Sequence, residues 1–135
     1  MPPEQRALFE SAEFDVGARQ TIIDITTGNS LSPRFTGGLA EETRHTSADA
    51  AVGGYFRAWA DADFLDELGS RDLPVKAFVG ATDPAVTVDA VRSSFGKTYS
   101  NLELEVLPNV GHYSMYELPL RLGASVERFL VRPTE

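Results

Sequence analysis

Leu73-Pro74-Val75-Lys76-Ala77-Phe78-Val79-Gly80-Ala81-Thr82-Asp83-Pro84 is the stretch on which the fold turns. Val75 to Val79 is a short, mostly apolar run closed by Gly80, the pattern of a strand buried on both faces of a parallel sheet. Downstream, Thr87 is placed to cap a helix whose Val88, Val91 and Phe95 lie on one side and which fades between Gly96 and Tyr99. Leu102-Glu103-Leu104-Glu105-Val106-Leu107 then alternates, as a strand at or near a sheet edge with one wetter face would. Pro119 opens a last helix, with Leu122, Val126, Phe129 and Leu130 at offsets of a single helical face. The order strand, helix, strand, helix is a βαβα unit, which requires parallel strands and a crossover between them.

Upstream of Arg71 the character is helical. Pro3 suits a first helical turn, Leu8 and Phe9 give that helix an apolar side, and Gly17 to Thr26, whose Ile22, Ile23 and Ile25 suit helix or strand, is read as a second helix. Gly28-Asn29-Ser30 and Pro33 mark a loop. Thr46-Ser47-Ala48-Asp49 has capping-box form, and Ala48, Ala51, Val52, Tyr55, Phe56 and Trp59 follow at helical spacing; that stripe reads as helix core ahead of the alternative, the lining of a substrate pocket. Asp61 to Leu68 is a further short helix ended by Gly69. The organisation is therefore a helical region over 1–70 and a βαβα region over 71–135.

Composition narrows the function classes. With 42% hydrophobic residues the chain can bury a core, so disorder is not expected. A net charge of −8 opposes binding to phosphate backbones, and no nucleic-acid partner is expected. Zero cysteines exclude disulfides and thiolate metal sites, and the two histidines, His45 and His112, lack metal-ligand spacing; no metal and no cofactor is expected. No apolar run reaches the roughly 20 residues of a membrane span, and the first residues lack the basic and apolar parts of a signal peptide, so the chain reads as cytoplasmic with no membrane partner.

Three segments carry a family resemblance: Leu73-Pro74-Val75 running into Gly80-Ala81-Thr82-Asp83-Pro84; Pro108-Asn109-Val110-Gly111-His112-Tyr113; and Glu117-Leu118-Pro119. Together they resemble the end of an α/β-hydrolase, over about residues 73 to 130. Residues 1–70 are similar to the helical cap of such enzymes, around Thr26-Thr27-Gly28-Asn29 and Tyr55-Phe56-Arg57-Ala58-Trp59. The resemblance implies an α/β fold class, a partial α/β-hydrolase fold in which a helical cap precedes a βαβα unit with parallel strands. It also implies that Asp83 is the catalytic acid and His112 the catalytic histidine. Taken singly, Asp83 before Pro84 is a turn residue and a histidine after a glycine is structural; order and strand-end placement make the pair specific.

The chemistry needs both, because a histidine must take the nucleophile's proton and a carboxylate on its other nitrogen must hold the tautomer. The fold's chain order is nucleophile, acid, histidine, and the first member has no counterpart here, since no Gly-x-Ser-x-Gly occurs. Ser114 is a neighbour of His112 in the same loop and not a presented nucleophile. His45 and the acidic Asp61, Asp63, Asp66 and Glu67 read as solvated surface. Two functions follow. In one, the chain is the C-terminal portion of a small-molecule hydrolase acting on an ester, amide or related bond, completed by a nucleophile-bearing N-terminal part. In the other it is a noncatalytic, truncated module that covers its open sheet edge by self-association. Either way a homo-oligomer is expected.

Overall fold

In the computed structural model, residues 1–131 are described, and they form two compact units. The first comprises Met1–Ile25 and Asn29–Phe64, the second Thr26–Gly28 and the described residues from Leu65 onward.

The first unit is helical: α1 (Pro3–Ser11), α2 (Val16–Thr26, its last residue belonging to the second unit), α3 (Pro33–Thr46) and α4 (Asp49–Asp61). Proline stands at the first positions of α1 and α3, where a missing N–H costs nothing. Ser32 Oγ accepts from Phe35 N at 3.3 Å and caps α3. Ala12, Ala18, Ile23, Leu39, Ala40 and Phe56 form the core. Phe56 stacks on Phe9 with ring centroids 5.4 Å apart. Arg19 is buried among them and is satisfied: its Nε donates to Ala12 O at 2.8 Å and its guanidinium to Thr43 Oγ1 at 3.3 Å.

Two expectations for this unit need correction. Thr46-Ser47-Ala48-Asp49 is no capping box, because Thr46 ends α3, with its hydroxyl donating to Glu42 O, and α4 starts from Ala48 without a side-chain cap. The stripe on α4 is also not a uniform core. Phe56 is buried, but Tyr55 is 77% exposed, and Trp59, although its ring lies 5.6 Å from that of Phe9 on α1, is 60% exposed, since a 3.6-residue period turns only part of so wide an apolar band fully inward.

The second unit is α/β. After α5 (Leu65–Leu68), β1 (Arg71–Gly80) pairs in parallel with β2 (Tyr99–Leu107), and α6 (Val88–Thr98) connects them; α7 (Ser114–Glu117) and α8 (Pro119–Leu130) follow. Gly69, just past α5, has φ +59°, the left-handed cap that glycine takes without strain. The register aligns Val75 with Leu102, Ala77 with Leu104 and Gly80 with Leu107, and it slips between Arg71 and Pro74, where proline has no N–H to give the ladder. Thr87 Oγ1 accepts from Ala90 N at 3.1 Å and caps α6 as its sequence suggested.

Alternation along β2 sends Leu102 to one face and Glu105 to the other. Gly96 of α6 lies against Leu102, whereas Ser125 of α8 donates to Glu105 at 3.1 Å, so the two helices cover opposite faces of the sheet. The wetter face of β2 is accordingly covered by a polar network and not by water alone. Lys76 Nζ pairs with Glu105 at 3.0 Å, and Arg128 donates to the fully buried Ser125 at 2.8 Å. Val75 to Val79 is buried less than predicted: Val79 is fully buried and Val75 to Phe78 are half-buried, as two strands supply only one neighbour per residue. Among the described residues no helix is long and apolar enough to cross a membrane.

Candidate active site

Both strands end at one place. Beyond β1 the chain turns at once: Ala81 N donates to Leu107 O and Thr82 N to Val110 O, each at 2.9 Å, tying the turn after β1 to the segment after β2. Gly80 and Gly111 make that tie possible. A methyl on Gly80 would strike the carbonyls of Val110 and Gly111, and one on Gly111 would strike the backbone of Thr26 and Thr27. Asn109, at φ +58°, turns the chain between them.

This close backbone seam brings Asp83 and His112 together across 29 residues of sequence. His112 Nδ1 lies 2.7 Å from Asp83 Oδ2. The other carboxylate oxygen, Oδ1, accepts from Ala85 N at 2.8 Å and Val86 N at 3.0 Å, so that the chain after Asp83 fixes its rotamer. Burial is unequal: the Asp83 side chain is 3% exposed and that of His112 47%. A carboxylate accepts only, so the shared proton belongs on Nδ1 and Nε2 keeps a lone pair. Such an imidazole can take a proton from a group presented to it.

The histidine's surroundings are tightly bonded. His112 N donates to Thr26 O at 2.9 Å, and Thr26 belongs to the same unit. The Glu117 carboxylate accepts from Gly111 N and Tyr113 N, the amides on either side. Tyr113 meets the imidazole edge-on at 5.8 Å, and burial, with a smaller contribution from Tyr116, pushes its phenol above the ordinary range.

Of the titratable and nucleophilic residues singled out in the sequence, Asp83 and His112 are the two that the described structure brings together. Ser114 opens α7 and its carbonyl accepts from Leu118 N. His45 is exposed near the end of α3; Asp61 pairs with Arg6 at 2.8 Å, and Asp63, Asp66 and Glu67 are exposed. Among the described residues no group of three His, Cys, Asp or Glu could hold a metal ion. Sequence reasoning missed the part played by Thr26 and Glu117. Both stand in segments that carry the resemblance, and Glu117 lies one helical turn after Tyr113, but nothing local in the sequence joins Thr26 to His112.

No family model matches the chain, and no curated protein does. Among solved structures, one described as "Est816 as an N-Acyl homoserine lactone degrading enzyme" is similar, with a TM-score of 0.66 at 20% identity. The match covers 96% of this chain and 52% of that one. The chain thus shares the fold of a part of that enzyme, and it spans about half its length.

Proposed function

We propose that the chain is the C-terminal portion of an α/β-hydrolase, in which the helical unit is cap-like and the α/β unit is the last part of the core. Asp83 is the acid and His112 the general base of a nucleophile–histidine–acid triad, and the nucleophile and oxyanion hole come from polypeptide that this sequence does not include. The single observation that carries the reading is the 2.7 Å contact between a buried carboxylate and a half-exposed imidazole, each just beyond the C-terminal end of a parallel strand. The substrate class is an ester, amide or related bond in a small molecule, and the lactone named for the structural neighbour is a cyclic ester of that class. Location in the cytoplasm goes with this reading.

In the proposed mechanism Asp83 holds the His112 proton on Nδ1, and Nε2 takes the proton of the nucleophile as it attacks the carbonyl. The carboxylate then stabilises the imidazolium, which returns the proton to the leaving group.

One observation favours the second reading, a noncatalytic self-associating module. Leu120 is 89% exposed, Leu130 and Val131 nearly as much, and a two-stranded sheet falls below the three strands that usually stand alone.

The deciding experiment pairs a serine-directed phosphonate probe with an activated ester. The chain alone is expected to show neither stoichiometric labelling nor a burst. Co-expressed with any upstream coding region that supplies a strand, Gly-x-Ser-x-Gly and a helix, it is expected to turn over the ester in a way that His112→Ala abolishes. Labelling of a serine in this chain, Ser114 included, or turnover indifferent to His112→Ala, would overturn the reading.

A further inference from the structure

Three successive backbone N–H groups around the histidine end on acceptors from other parts of the chain. Gly111 N lies 3.0 and 2.9 Å from the two Glu117 carboxylate oxygens, and Tyr113 N lies 3.1 Å from one of them. His112 N, between them, donates to Thr26 O. The loop from Pro108 to Tyr113 has no ladder of its own, so these bonds fix the backbone angles on both sides of His112.

The carboxylate is not needed to close α7. That turn is made by its own backbone, with Tyr116 N and Glu117 N donating to Tyr113 O and Leu118 N to Ser114 O. The side chain of Glu117 therefore adds a constraint aimed at Gly111 and Tyr113. A carboxylate suits the task because Oε1 accepts from both amides and Oε2 accepts again from Gly111 N, whereas glutamine keeps one acceptor and would set its NH2 in the place of Oε2, against the Gly111 N–H.

From this geometry we propose that Glu117 is a positioning residue, which clamps the amides flanking His112 and so aims the imidazole at Asp83. The proposal deepens the reading of Asp83 and His112 as acid and base and rests on it.

The test uses the full chain labelled with 15N, comparing the original with Glu117→Ala, Glu117→Gln and, separately, Asp83→Asn. Amide exchange is read at Gly111, Tyr113 and along the β1–β2 ladder, and the His112 tautomer from its ring nitrogens. Loss of a charge-assisted bond predicts that Glu117→Ala speeds exchange at Gly111 and Tyr113 about tenfold or more. The fraction of His112 protonated on Nδ1 falls with it, and ladder protection stays unchanged. Glu117→Gln, which keeps one acceptor, falls between; it carries the same two readouts should the alanine variant not fold.

An unchanged tautomer in Glu117→Ala, or loosening that spreads evenly into the ladder, would overturn the clamp, the second because it marks an ordinary structural residue. The base reading fails separately, if Asp83→Asn leaves the tautomer untouched. The exchange result at Gly111 and Tyr113 would still stand on its own in that case.

Discussion

Gly80→Ala puts one methyl group into the seam that joins Asp83 to His112. Gly80 does not have a left-handed φ, so alanine brings no backbone strain there and the effect is steric. The new carbon would overlap the carbonyl oxygens of Val110 and Gly111, and both are backbone, so neither can swing aside as a side chain would. The segment before His112 has to retreat by roughly 1 Å, an overpacking that costs about 1–3 kcal/mol. The 2.7 Å contact between His112 and Asp83 then opens past hydrogen-bond range. For a chain of 135 residues that cost lowers Tm by about 4 to 12 °C. Gly38→Ala is the matched control, since a methyl there meets nothing within 4 Å and helix propensity favours alanine by up to about 1 kcal/mol. Thermal unfolding gives the first quantity and the Nδ1–H proton resonance of His112 the second. A Gly80→Ala protein with unchanged Tm and an unchanged resonance would refute the close seam.

Acid should weaken the network on the α8 face of the sheet: Lys76 first and Ser125 next hold the Glu105 carboxyl below its ordinary value of 4.5, against desolvation. That contribution is present above about pH 4.5 and is lost as pH falls through the lowered value, so the loss of urea stability between pH 7 and pH 3 should be smaller in Glu105→Gln; equal losses would sink the assignment. The exposed Leu120, Leu130 and Val131 and the two-stranded sheet predict association at micromolar concentration by light scattering. A monomer with slow amide exchange throughout Val75 to Val79 would show instead that the chain closes its own edge.

The parallel strand pair, the capped crossover helix and the two strand-end residues were legible in the sequence. Each rests on short-range physics: a run of apolar residues bounded by Gly80, a threonine two residues ahead of Asp89, an alternation at Leu102 to Leu107. The order Asp83 then His112 needed only that parallel strands put their C-terminal ends side by side. What covers each face was not legible. The glutamates of β2 looked wet, but Lys76 across the sheet and Ser125 on α8 neutralise and bond Glu105, and period two says nothing about a partner 20 residues away. Tyr55 and Trp59 shared a stripe with Phe56, although only the tertiary arrangement decides which part of an apolar band meets a neighbour. The anchoring of His112 was decided at the same level. Gly80, Gly111, Thr26 and Glu117 converge there because backbones approach closely where side chains are missing, and that proximity is a property of the folded chain rather than of any local pattern.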